Sequence, residues 1–550
     1  MKSFSFRGAS PNLDGLRRSR AASVLPPRLR TTTCATLFAL ACIGGGEQAQ
    51  AATPEADDGV VHLAPAPGAP QAAKGTHINK TSPRRSSDPD DAYVSEPAML
   101  DEEQPIEPLY HAIPGFLESP YGPPSFGSPY GTHHLLGDWG GIQPWLQKRG
   151  LYLAINDYES LSGNPIGGKT HAVTDAGQTG VTLDVDWHKL LDGGDWSKNL
   201  WLHMLAVNGH GRNLSGLIGD HANQVQQIYG ARGNVVAHLV WMYFEKSWLD
   251  NRIDWSVGVM PPGTFFNNSP WGCAFMNVWM CGNTTPTKYV AGGRDWPSGN
   301  IGTVLRVMPR RDFYIMGGLF AVSPHSYNGG ISGWALAQDG LGKLSTHLEF
   351  GWIPEFGPNH LIGHYKVGAL YDNSKYNDLY SDIHGHPWVV TGLPARKQSG
   401  QTSMWAMVDQ MFIRHGEGPM NGLMLGLQYS YASGQTSAMK QRFAVSILDT
   451  GYYWNRPHDM FGFTFQWADF SKSAIRQQRA SLAYDLPFQS TNFGVPYGVQ
   501  SHENIYEFFY TAQIVPGLSI QPDFQYINRL GGTKIFKDAA VFSMAFSATL

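Results

Sequence analysis

The chain has 550 residues and a net charge of −4, from 44 acidic and 40 basic side chains. That balance leaves no basic footprint for a nucleic acid. Charged residues make up 15%, below the roughly 25% usual in soluble proteins. Glycine (63), Trp (17), Tyr (24) and Phe (27) are abundant, which suits a barrel wetted on its inside and also a soluble β protein.

Residues 1–51 read as a secretory signal. Basic residues run as far as Arg30, an apolar core spans Cys34 to Ile43, and Ala49-Gln50-Ala51 offers a cleavage site. The core is too short to anchor in a bilayer. Residues 52–131 are rich in Pro, Ala, Gly, Asp and Ser, as in Ala64-Pro65-Ala66-Pro67. Such a segment cannot bury enough surface to fold alone, so a disordered periplasmic linker is expected. The folded domain is expected over 132–550. Asp138, Pro144 and Gly150 mark a short helix, and Leu151 to Tyr158 reads as the first strand.

Alternating segments then recur to the end of the chain. Val181, Leu183, Val185 and Trp187 share one parity, with Asp184 and Asp186 on the other. The same pattern returns over 253–259, 348–352, 365–371, 423–431 and 461–467, and in the last fifty residues over 506–514, 518–526 and 542–550. Less regular strands fill the gaps at Leu200–Val207, Val235–Phe244, Thr303–Met308, Phe313–Val322, Met404–Arg414 and Phe443–Leu448. Successive strand side chains point to opposite faces, so each segment has one oily and one wet face. A soluble sandwich would bury the oily face, whereas a transmembrane barrel turns it to lipid. After Ala52 no run of 18 apolar residues occurs, so only a closed barrel could span a membrane. Single soluble cores stop growing near about 250–300 residues, and the alternating region is longer. An all-β, transmembrane antiparallel barrel is expected. Strands of about 9–11 residues bring it to an even count near sixteen.

Cys34 and Cys42 leave with the signal, and Cys273 and Cys281 remain. In an oxidising periplasm a disulfide between them is expected. No Cys-x-x-Cys spacing favours a metal, and no cofactor motif occurs. Catalysis is not expected either. His384 and His386 sit in a Gly/Pro-rich stretch, and there is no Gly-x-Ser-x-Gly elbow.

Five motifs in order carry a family resemblance. They are Gly137-Asp138-Trp139-Gly140-Gly141 with Arg149-Gly150, Cys273-Ala274-Phe275-Met276-Asn277 with Cys281-Gly282, Trp296-Pro297-Ser298 with Leu305-Arg306, Arg456-Pro457-His458-Asp459-Met460, and Gln521-Pro522-Asp523-Phe524-Gln525-Tyr526. Together they resemble the carbohydrate-selective porins of the OprB type in Gram-negative outer membranes. The resemblance implies a sixteen-stranded outer-membrane barrel that lets sugars diffuse inward. It departs from the family at Leu550, where an aromatic is usual, and in its long linker.

A diffusive pore needs a constriction and weakly binding polar groups. The constriction is expected in an inward loop around Trp271–Cys281, with Arg294, Asp295, Trp296 and Arg306 near it. The wet parity supplies lumen candidates: Asp184, Asp186, Glu349, Lys366, Gln428, Gln466, Glu507, Gln521, Asp523 and Gln525. Expected partners are mono- or small oligosaccharides, outer-membrane lipid, the barrel assembly machinery and two further copies in a homotrimer. The alternatives are a secreted carbohydrate-binding β protein and a barrel hydrolase.

Overall fold

The computed structural model describes residues 135–550 apart from 227–234, 270, 323–332, 335–342, 416–420, 452–455, 457–458, 491–493 and 516. The signal (1–51) and linker (52–131) lie outside the described residues. A short helix, α1 (Ile142–Gln147), precedes the strands. Sixteen strands then form one sheet. They are β1 (Leu151–Ile166), β2 (Val173–Asp186), β3 (Leu200–Gly211), β4 (Val235–Trp248), β5 (Ile253–Met260), β6 (Asn300–Arg310), β7 (Phe313–Ala321), β8 (Leu344–Trp352), β9 (Leu361–Asp382), β10 (Ala395–Arg414), β11 (Gly422–Ala432), β12 (Met439–Thr450), β13 (Met460–Phe470), β14 (His502–Val515), β15 (Leu518–Asn528) and β16 (Ala539–Thr549). The two-residue segment Glu355–Phe356 prolongs the β8 edge against β9.

Each strand pairs antiparallel with the next. The ring closes where β16 meets β1, with Thr549 opposite Asn156 and Phe542 opposite Gly163. Closure removes both sheet edges, so every strand finds its backbone partners inside the wall. The alternation seen in the sequence becomes an outside and an inside. On β8, Leu348, Phe350 and Trp352 are exposed while His347 and Glu349 are buried. Among the described residues no helix is long and apolar enough to cross a membrane, so the strands do the crossing.

One difference from the sequence reading occurs at β2. The strand stops at Asp186, whose carboxylate accepts the backbone N–H groups of His188 (2.9 Å) and Lys189 (3.2 Å). That cap starts α2 (Trp187–Leu191), so Trp187 opens a helical turn instead of ending the outward row. A longer helix, α3 (Lys472–Ala483), follows β13 and is capped by Ser471.

The two ends of the barrel differ. At the end where β1 starts and β16 stops most connections are short, and Arg310 pairs directly with Phe313 across the β6–β7 turn. At the other end the loops are long, and two turn inward. The β5–β6 loop (261–299) is buried along almost its whole described length, and the described part of the β3–β4 loop (213–226) lies beside it. We call the first the plug loop. Its Phe265, Phe266, Trp271, Phe275 and Trp296 join the inward Trp241, Tyr243, Tyr314, Phe320 and Trp405 in one apolar cluster. Several wall rings lie flat over a glycine on the adjacent strand. A Cβ on Gly351, Gly368 or Gly462 would stand 2.0–2.4 Å from Tyr314, Trp405 or Phe509. Only glycine leaves room for those rings to cover the wall.

Candidate pore constriction

The plug loop is first held to itself. Cys273 and Cys281 form a disulfide. Asp295 accepts the N–H of Asn283 (3.0 Å) and its own neighbour Trp296 (2.8 Å), and lies 3.7 Å from the Lys288 ammonium. Lys288 in turn donates to the carbonyls of Val278 (2.7 Å) and Cys281 (2.6 Å). Burial pushes this ammonium down to about 7, opposed by the nearby Asp295 carboxylate. Trp296 meets Trp241 edge-on at 5.6 Å, and Trp271 approaches the His364 ring at 6.2 Å. Arg294 is buried in the returning limb. So Trp271, Arg294, Asp295 and Trp296 are gathered in one plug. Arg306 is held by the wall instead: it lies six residues along β6 from Asn300, level with Met316 and Glu349 in the ladder, and pairs with Asp254.

The wall then grips the plug. The Glu349 carboxylate accepts three donors: Tyr314 hydroxyl (2.7 Å), Asn267 N–H (2.8 Å) and Trp405 indole (2.8 Å). Lys366 donates to the Asn268 carbonyl at 2.9 Å. Glu507 accepts the N–H of Met276 and of Asn277, the latter at 3.1 Å. Gln521 donates to the Ala274 carbonyl (3.0 Å). Gln525 accepts from the Asn277 amide (2.9 Å) and donates to Val225 of the β3–β4 loop (2.8 Å) and to Asp523 (3.1 Å). Much of the wet parity therefore ends on loop backbone. Gln428 and Gln466 accept from Arg442 at 3.0 and 2.7 Å, and that guanidinium also reaches the Met280 sulfur. Asp184 pairs with His203 at 2.8 Å. Asp186 caps α2 at the rim, outside the gripping set.

Arg442 escaped the sequence reading although a signal was present. Phe443, Val445 and Ile447 are the oily row of β12, which sends Arg442, Ala444 and Ser446 inward. The β3–β4 loop gave no comparable signal, because an inward loop carries no strand period.

The plug does not fill the lumen evenly. Against β5–β8 the wall is dry, and Asp254, Val304, Arg306 and Met316 have no solvent contact. Across β15, β16, β1 and β2 a thin wetted strip survives: Thr174, Ser543 and Ala154 keep 8% of their surface, Gln521 5%, and Ser547 and Thr549 4%. The strip is lined by hydroxyls and amides and by one carboxylate, Asp523, which accepts from Gln525. At its terminal end the Tyr152 and Trp201 rings stand 5.6 Å apart.

Comparison with known proteins points the same way. A family described as "Carbohydrate-selective porin, OprB family" matches residues 170–550. The curated protein "Porin B" of Pseudomonas aeruginosa is 25% identical over 422 residues, covering 74% of this chain and 89% of its own. "Putative porin QuiX" of Acinetobacter baylyi is 24% identical over 424 residues, covering 75% and 92%. Among solved structures, a high-pH structure of Pseudomonas putida OprB superposes with a TM-score of 0.69 at 24% identity. It covers 76% of this chain and 98% of its own.

Proposed function

This chain belongs to the OprB family of carbohydrate-selective porins, and from that premise we propose a route for the sugar: the wetted strip of β15, β16, β1 and β2, between plug and wall. The protein is an outer-membrane barrel for passive, carbohydrate-selective diffusion, and its relatives are channels, not enzymes. The observation that carries the route is the contrast in wetting. Solvent contact persists at Ser543, Thr174 and Ala154 and vanishes at Arg306 and Val304. Neutral hydroxyls and amides exchange hydrogen bonds with sugar hydroxyls at little net cost. The Tyr152 and Trp201 faces near the exit supply flat apolar contact for a pyranose ring. Trp271, Arg294, Asp295 and Trp296 act by giving the plug its shape, and Glu349, Lys366, Glu507, Gln521 and Gln525 by holding it. With few free charges on the strip, neutral sugars pass in preference to ions. Proteoliposome swelling tests this. Neutral mono- and disaccharides are expected to enter faster than gluconate or glucosamine of similar size, and equal rates for all of them would overturn the selectivity.

The outer wall supports self-association, in line with the homotrimer reading. On β1 the outward Asp157 and Glu159 lie between Ile155 and Leu161, opposite Ala548 and Phe546 of β16. Glu159 pairs with His210 at 2.7 Å, and Asp157 accepts from Thr179 at 2.6 Å. Carboxylates in mid-band are costly against lipid, while a second barrel brings its own donors. In native outer membranes, Leu161→Cys is expected to cross-link between copies on oxidation and Val367→Cys, outward on β9 across the barrel, is not. Cross-linking of neither sinks the assignment. The lipid and the assembly machinery remain the partners that any such barrel needs for insertion.

A further inference from the structure

Between Thr174 and Ala154 the wetted strip narrows: Asn156, Tyr158, Ser162 and Gln178 keep only 1% of their surface, and a plug-loop side chain reaches the wall there. On the row where β16, β1 and β2 lie side by side, Ala545, Ser160 and Ala176 are direct neighbours. Ser160 is 1% exposed, Ala545 1% and Ala176 0%. All three are small, and the space they leave is filled by Met276, which clusters with Tyr158, Ala176 and Ala545. Above and below this row solvent contact returns, at Ser543 and Thr174 on one side and Ala154 and Ser547 on the other. From the β3–β4 loop, Gln226 closes the flank. Its amide donates to the Ser160 carbonyl at 3.1 Å and its oxygen accepts from Thr174 at 3.3 Å.

Backbone and side chain of Met276 are held very differently. Its N–H is bound by the Glu507 carboxylate, and the next residue is bound by Glu507 and Gln525. The thioether accepts one long contact from the Ser160 hydroxyl, 3.6 Å, and otherwise rests by apolar packing alone on Tyr158, Ala176 and Ala545. An unbranched side chain with three rotatable bonds and a weak acceptor costs little to rotate. A clamped backbone with an unbranched apolar tip, held by packing alone, is the arrangement of a swinging stop.

Resting on the sugar-porin reading above, we propose that the Met276 side chain is the gate of the sugar route, closing against the small-residue row Ala545–Ser160–Ala176 and opening by rotation about its own bonds while the plug loop stays fixed. The gate selects by width and by its apolar surface. Passage requires a solute to displace a thioether, which a neutral sugar ring with its CH faces does at less cost than a hydrated ion.

Three variants test the gate in planar bilayers and in swelling assays. Met276→Ala is expected to raise single-channel conductance and sugar entry by about twofold or more. Met276→Trp and Ala176→Leu, which narrow the same row from opposite sides, are expected to lower both by a similar factor. Ser543→Cys and Ser547→Cys, one on each side of the row, serve if a bulky variant fails to insert. Labelling either with a charged methanethiosulfonate is expected to block conductance. Wild-type liposomes that do not swell would overturn the porin reading itself. Wild-type liposomes that swell, with Met276→Ala unchanged and both cysteines insensitive to label, would overturn the gate alone.

Discussion

Replacing Glu349 and Glu507 together by alanine is expected to raise single-channel conductance several-fold and to flatten discrimination among sugars, while the barrel still folds. The wall is closed by backbone pairing all round, and neither carboxylate takes part in it. Both act on the plug. Glu349 serves Asn267 at the start of the loop, and Glu507 serves Met276 and Asn277 at its tip. Hydrogen bonds to a charged acceptor contribute about 1.5–3 kcal/mol each, and a buried donor left without a partner costs about 1–3 kcal/mol. Truncation therefore does more than remove attraction. It leaves the N–H groups of Asn267, Met276 and Asn277 and the Trp405 indole short of their acceptor in a dry interior. They recover hydrogen bonds only if the loop moves toward water, and that movement widens the route. The apolar cluster around Trp241 and Phe266 keeps the loop from leaving altogether, so the expected state is a looser plug. Glu349→Gln with Glu507→Gln keeps an acceptor oxygen at each place and should stay near wild type. The measurement is conductance in planar bilayers with sugar block. A double alanine variant that conducts and discriminates as wild type does would mean the plug is held by its apolar face alone.

The strand framework was legible because the period of two is written into nearly every strand. Phe461, Phe463, Phe465 and Trp467, with Gly462, Thr464 and Gln466 between them, state both faces of β13 without help from the fold. The disulfide was legible from compartment and spacing. What the inward residues do was not. Parity says that Glu349 and Glu507 point inward, but whether they meet water or a loop depends on residues 82 and 231 positions away. A loop carries no period to reveal its path. Arg294, Asp295 and Trp296 were brought together with Trp271 by the chain's return through the plug. Arg306 was not, because it sits further along β6, level with Glu349, where Asp254 on the neighbouring strand takes its guanidinium. Met276 gave no signal either: only the juxtaposition of three small residues from three strands shows what it fills. Asp186 and Trp187 fail for a local reason, since a carboxylate before two free N–H groups caps a helix even where the oily parity would run on.

The second large effect is expected at the β5–β6 pair. Arg306→Leu should lower the temperature at which the folded, heat-modifiable form is lost, whereas Arg306→Leu combined with Asp254→Leu should recover most of that loss. Arg306 and Asp254 face each other directly across the ladder, with no solvent contact on either side chain. The Arg306 Nε lies 2.7 Å from the Asp254 carboxylate, and a second guanidinium nitrogen reaches the same oxygen. Two ions taken out of water gain little net energy from meeting, since desolvation offsets most of the attraction. Removing one of them leaves the other charged in a dry site, at a cost of about 3–5 kcal/mol. Two leucines carry no such debt, and they face Val304 and Met308 on the same inward row. The position matters because β5 and β6 are the strands from which the plug loop springs. A strained hairpin there moves both limbs, so the single variant should also show noisier, larger conductance steps. Equal destabilisation in the single and double variants would show that the pair is a net stabiliser of the barrel. Recovery of stability in the double variant without recovery of conductance would assign the pair to setting the register of the plug.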